Sequence, residues 1–152
     1  DSVVFQCSAE TGFNLLLSDG NSLVYCSNRN GPPRELSPGI YGLSNHVLDS
    51  PWPKLLKARE NFARALPQLP DEIGFFELLA DREIFADEQL PQTGIGLERE
   101  RMLSAVFVHS ENYGTRASTV VWRDKHGAVR LHEKSFGAQG KPLQSSLIST
   151  SV

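Results

Sequence analysis

"GLSNHVLDSPWPKLLKAREN", residues 42–61, is where the chain changes period. Before it, short apolar runs alternate with turn residues. After it, Leu55, Ala58, Phe62, Ala65 and Leu66 fall at helical spacing, with Lys54, Lys57, Arg59, Glu60 and Arg64 largely around the other side. The spacing predicts an amphipathic helix over 53–66. Asp49 or Ser50 can cap it, and Pro51 or Pro53 suits its first turn, where a missing N–H costs nothing.

Upstream, the apolar runs 13–17 and 23–26 flank Asp19-Gly20-Asn21, the arrangement of a hairpin closed by an Asp-Gly turn. Turn residues at 30–33 and 38–39 leave room for strands over 34–36 and 40–43, which completes a four-stranded meander. Downstream, Pro67 and Pro70 end the helix. Asp71 can cap a second one carrying Ile73, Phe76, Leu79 and Ala80 on one side, weakened by Gly74.

Residues 85–96 read as a surface loop, and the charge run 98–101 as a solvated face or short turn. Three further strands are expected over 103–109, 117–123 and 129–136, the last two joined by the turn Asp124-Lys125-His126-Gly127. The Ser-rich end, 145–152, is expected to fray. Strands, then helices, then strands predict an α+β fold of antiparallel sheets with covering helices, rather than alternating βαβ units. With no internal repeat and no linker composition, residues 1–152 read as a single domain.

Fifteen Lys and Arg stand against eighteen Asp and Glu, a formal net charge of −3, so counterion release from a polyanion offers no driving force and nucleic acid is not an expected partner. The apolar runs are far shorter than the roughly 20 residues of a membrane helix, so membrane insertion is not expected either. Cys7 and Cys26 match no metal-ligand spacing and read as free thiols, small buried hydrophobes in a reducing, cytoplasmic setting.

Three clusters could carry chemistry. In Ser44-Asn45-His46, the Asn45 side-chain N–H could face a developing oxyanion, or it could only satisfy turn and cap hydrogen bonds. Asp49 and Ser50 are better placed as caps, which weighs toward the first role. In the run 113–119, Arg116 stands at the mouth of a strand, where it could hold a carboxylate or depress a nearby thiol's pKa; its other reading is a surface salt bridge. The histidines His46, His109, His126 and His132 have no metal-site spacing, and His126 and His132 read as solvent groups on a turn and an exposed strand face. No cofactor or metal is expected, since no phosphate-cradling Gly loop or nucleophile elbow is present.

The ordered segments "GFNLL", "YCSNR", "GIYGLSNHVLDSPWPK", "LLADRE", "LPQTGI", "ERERMLSAVFV" and "YGTRASTVVWRDKHGAVRLHEKSF" together resemble the NRDE family, also called the transport-and-Golgi-organisation family. The resemblance runs from about Gly12 to Phe136. It implies an N-terminal-nucleophile-hydrolase-like αββα sandwich whose nucleophile is a cysteine at the mature N-terminus. The segments match the downstream portion of such a domain, and Asp1 and Cys7 do not fit the nucleophile.

By resemblance to related choloylglycine hydrolases and penicillin V acylases, Asn45 takes the oxyanion role and Arg116 that of an arginine near the thiolate. The implied chemistry is hydrolysis of a linear amide, a C–N bond, in a small-molecule substrate. The alternatives are non-enzymatic binding or trafficking of haem or another apolar ligand, with His46 beside the site, and an inactive structural relative. As partners, the remainder of the family's domain or a second copy of the chain is expected to cover an open strand edge or apolar sheet face.

Overall fold

The computed structural model describes residues 12–150, which fall into two compact units divided between Ser50 and Pro51. The described residues carry three helices and two three-stranded antiparallel sheets, an α+β arrangement. Among them no helix is long and apolar enough to cross a membrane.

The first unit is built on the expected hairpin, β1 (Asn14–Ser18) paired with β2 (Leu23–Ser27) in the register Leu16↔Tyr25. The Asp19 carboxylate closes the turn by accepting the backbone N–H groups of Asn21 and Ser22, both at 2.8 Å. Gly20 stands there at φ 91°, a conformation open mainly to glycine. The backbone N–H groups of Ser22 and Asn21 hold the Asp19 carboxyl below its ordinary pKa. A two-residue β3 (Arg34–Glu35) adds to β2.

The fourth strand of the meander does not form. Both backbone groups of Gly42 are taken locally, its C=O by the Asp49 N–H at 2.7 Å and its N–H by the Asp49 carboxylate at 2.8 Å, so residues 40–43 have no free ladder to offer. Asp49, at φ 58°, is thereby committed to closing a loop rather than capping a helix. Ser50 is committed likewise, donating its hydroxyl to the Val47 C=O at 2.7 Å.

The second unit opens on α1 (Pro53–Ala65), as the period predicts. The expected side-chain cap is absent: Trp52 is the N-cap residue, and its C=O accepts the Leu55 and Leu56 N–H groups. Pro53 lacks one of the N–H groups that a cap would otherwise satisfy.

In α2 (Ile73–Leu79) the N-cap residue is Glu72, without a side-chain cap bond, and Asp71, expected as the cap, lies one residue earlier, where its carboxylate accepts the Ile73 N–H at 2.9 Å. The buried face differs from the expected one. It is Phe75, Phe76 and Leu78, while Ile73 is 65% exposed. Gly74 has a packing reason, since a Cβ there would lie 3.0 Å from Ala65 Cβ where α1 and α2 meet. Phe62 and Phe75 cross edge to face at 5.2 Å beside that contact.

The charge run lies in α3 (Leu97–Leu103) rather than a short turn, with Glu98 and Arg99 exposed and Glu100 turned inward. Glu100 is buried and accepts both the backbone N–H and the hydroxyl of Thr93, at 2.8 and 2.6 Å. Arg101 grips Asp87 bidentately at 2.7 and 2.8 Å.

The strand expected over 103–109 is not one either. Its apolar residues are core, with Ala105 and Phe107 buried, but the Phe107 N–H bonds the Asp81 C=O and the Val108 N–H the Thr115 hydroxyl. Only an isolated bridge, His109↔Gly114, remains.

The second sheet has the order β4 (Ala117–Arg123), β5 (Val129–Phe136), β6 (Pro142–Ser149). The segment expected to fray is therefore a paired strand as far as Ser149, in register Leu131↔Ile148 with β5. One face of the sheet packs on the helices through Val120 and Trp122, within the cluster Ala65, Phe75, Phe76, Leu78 and Val120. On the other face Val121 is 58% and Ile148 61% exposed.

Candidate functional site

Asn45 stands in the first unit, on the loop between the sheet and Ser50. That loop is tied to the hairpin by one continuous set of bonds. Asn14 on β1 donates its side-chain N–H to the His46 C=O at 2.8 Å. Its carbonyl accepts the Tyr25 hydroxyl at 2.7 Å, and the Tyr25 oxygen in turn accepts the Leu48 N–H at 3.3 Å. Tyr25 is the most buried large side chain of the unit, so the anchor is rigid. His46 Nδ1 meets the Ser50 hydroxyl at 2.7 Å.

Within this held loop Asn45 is itself exposed, and among the described residues its side chain has no hydrogen-bond partner. It lines an open cleft of about 880 Å³ together with Phe13, Arg29, Leu43 and Val47. The turn role is thus performed by its neighbours Asn14, Asp49 and Ser50. Arg29 and Phe13 were not legible as site residues, because only the hairpin register places the exit of β2 beside the start of β1.

Arg116 stands in the second unit, just before β4. Its backbone C=O accepts the Phe136 N–H at 2.8 Å, while its side chain is exposed and has no ion-pair partner among the described residues. The surface salt bridge considered for it is absent among those residues.

Cys26 is free and buried on β2, as expected of a small hydrophobe. Cys7 lies outside the described residues.

A second polar centre, unseen in the sequence, lies between α2 and the second sheet. The carboxylate of Glu72, 7% exposed, accepts the Trp122 indole N–H at 2.9 Å on one oxygen and the His132 Nδ1–H at 2.6 Å on the other. Arg130 Nε lies 3.0 Å from the first oxygen but off hydrogen-bond geometry, so charge alone binds it. His132 Nε2 reaches the Ser145 hydroxyl at 2.9 Å, and Phe76 meets the ring edge to face. Burial pushes the Glu72 carboxyl up, and the Trp122 and His132 hydrogen bonds with the Arg130 charge outweigh it, so the group sits below its ordinary pKa.

His132 is therefore not a solvent group. Strand alternation separates two faces but does not say which one the helices cover. This centre ties α2 to all three strands, and its groups are engaged with one another rather than turned to a cleft. No group of three or more His, Cys, Asp or Glu among the described residues could hold a metal ion.

The family model described as "Transport and Golgi organisation 2" matches residues 1–138 of this chain. The Transport and Golgi organization 2 homolog of Mus musculus is 34% identical to it over 143 residues. The Transport and Golgi organization protein 2 homologs of Homo sapiens and Bos taurus are 37% and 38% identical over 143 and 142 residues. Each alignment covers 82% of this chain and 51% of the relative, so the chain spans about half the length of the curated relatives it matches.

Proposed function

This chain belongs to the Transport and Golgi organisation 2 family, and on that premise we propose that the Asn45 cleft is the oxyanion-stabilising part of a cysteine amidohydrolase site acting on linear amides. The observation that carries the reading is a contrast within one loop. Asn14, Asp49 and Ser50 around it are bonded, whereas the Asn45 side chain, without a hydrogen-bond partner among the described residues, stands in an open cleft. The loop that carries this donor is held by its own bonds, so the backbone need not reorganise as charge develops, which favours transition-state stabilisation.

In this mechanism a cysteine thiolate attacks the amide carbonyl carbon. The C=O π pair moves onto oxygen, and the Asn45 N–H stabilises that oxyanion. Collapse of the intermediate re-forms the C=O and expels the amine, which takes the proton held by the nucleophile's own α-amine. Water then hydrolyses the thioester. Buried Cys26 is unsuited to the nucleophile's part, so the reading requires a cysteine outside the described residues. Arg116 is assigned, by the same resemblance, to favouring the thiolate.

The test is turnover of simple N-acyl amides by the natural full-length protein and its Asn45→Ala variant. Loss of one oxyanion donor should lower kcat by about 10²–10³ with unchanged folding. Unchanged turnover in the variant overturns the oxyanion role.

A second reading, binding or trafficking of an apolar ligand smaller than haem, is favoured by a cleft of about 220 Å³ in the second unit, lined by Phe62, Leu66, Phe75, Leu79 and Trp122. A saturable change in tryptophan fluorescence on titration with octanoic acid that Leu66→Arg abolishes would support it. Neither turnover nor ligand binding would leave an inactive structural relative.

A further inference from the structure

The Asn45 cleft has a one-sided charge. Among the described residues Arg29 is the only Lys or Arg that lines it and no Asp or Glu does, while Phe13, Leu43 and Val47 supply apolar wall beside Asn14, Ser44, Asn45 and His46. Among the described residues Arg29 has no carboxylate partner of its own.

The placement of Arg29 is built into the fold. The buried Ser27 hydroxyl accepts the Arg29 N–H at 3.2 Å and donates to the Phe13 C=O at 3.0 Å, while the Asn28 side chain accepts the Phe13 N–H at 2.9 Å. The exit of β2 is therefore stitched to the chain just before β1 on both sides of Phe13. The side chain of Arg29 then lies across Gly12, where a Cβ would come within 3.0 Å of Nε. A glycine at 12 leaves the guanidinium that path.

A planar cation in a cleft that has both apolar and neutral polar wall, with an amide donor among the same lining residues, matches an elongated ligand with an anionic end, an amide and a hydrocarbon portion. We propose that the cleft takes N-acyl amino acids, with Arg29 receiving the free carboxylate while the amide carbonyl faces Asn45. This rests on the reading of the cleft as the substrate site. It adds the class of substrate and a specificity-determining residue. Lysine in place of Arg29 would keep the charge but lose the two parallel N–H groups that a carboxylate accepts.

The experiment is calorimetric titration of the natural full-length protein with N-octanoylglycine and with its methyl ester, which differ only in the anionic end. The acid is expected to bind at least about tenfold more tightly, an ordinary worth for one charge-assisted contact. Arg29→Gln should erase that preference by weakening the acid and leaving the ester unchanged. Gly12→Val should do the same by displacing the side chain, and Arg29→Lys should retain only part of it.

Equal binding of acid and ester by the unaltered protein, binding of neither, or a preference that survives in Arg29→Gln would each overturn the proposal. Asn45→Ala separates this from the hydrolase reading. If turnover survives in that variant while the acid preference still depends on Arg29, the oxyanion role has failed and the carboxylate subsite stands.

Discussion

Replacing Glu72 by alanine removes the acceptor shared by the Trp122 indole and His132 Nδ1, at 2.9 and 2.6 Å, and the charge that faces Arg130 Nε at 3.0 Å. Breaking a fully buried ionic cluster from one side costs about 3–5 kcal/mol, because the partners are left unpaired. The partners here are not fully buried: the Arg130 side chain is 37% exposed and that of His132 22%, so water can rehydrate part of what is lost. The expected cost is therefore about 2–3 kcal/mol. In a chain of this size that corresponds to a fall in Tm of roughly 5–10 °C.

Urea unfolding followed by tryptophan fluorescence measures the cost, and it reports directly because Trp122 is one of the partners. The pH dependence is a second arm. The Glu72 carboxyl is lowered in the folded protein, so the stability it contributes is fully present above its unfolded value near about pH 4.3 and is lost as pH falls through the folded value. Glu72→Gln keeps the shape without the charge, so its stability should lie below that of the unaltered protein at pH 7 and converge with it in acid. A cost under about 1 kcal/mol for Glu72→Ala, or a gap between Glu72→Gln and the unaltered protein that stays constant from neutral to acid pH, would refute the account of this centre.

Two further outcomes follow from the geometry. Tyr25→Phe removes the hydroxyl that joins Asn14 to Leu48 and leaves both without that buried partner, so it should cost about 1–3 kcal/mol and raise hydrogen exchange at the Leu48 amide; unaltered exchange there would mean the Asn45 loop is held by other contacts. Arg116→Ala removes an exposed side chain without an ion pair among the described residues, so unfolding free energy should move by no more than about 0.5 kcal/mol while amide turnover falls; a large loss of stability would show that Arg116 is structural.

Local chemistry made part of the fold and of the site legible in the sequence. Asp19-Gly20 predicts a hairpin because a carboxylate and a residue free to take positive φ close such a turn by themselves, and that is the β1–β2 turn. The period from Leu55 to Ala65, bounded by prolines, predicts α1 because helix hydrogen bonds run between near neighbours. The same holds for β4 and β5 across the Asp124 turn, where one carboxylate accepts both the His126 and Ala128 N–H groups. Asn45 is marked as a candidate by the closer spacing of Asp49 and Ser50 to the helix start, although neither of them caps the helix.

Where a group's partner is far along the chain, only the tertiary structure decides. The run 103–109 has the apolar residues of a strand, but its N–H groups go to Asp81 and Thr115 instead of a neighbouring ladder. The Ser-rich end is a strand because β5 presents an edge to it, not because of its own weak pattern. Glu72 and His132 become a buried pair only when α2 covers that face of the sheet, and Arg29 joins the Asn45 cleft only through the register of β1 on β2. The sequence by itself determined the elements whose hydrogen bonds close within a few residues. The tertiary structure alone decided which polar groups are buried and which remain free to meet a ligand, because burial is a property of what packs against a residue and not of the residue.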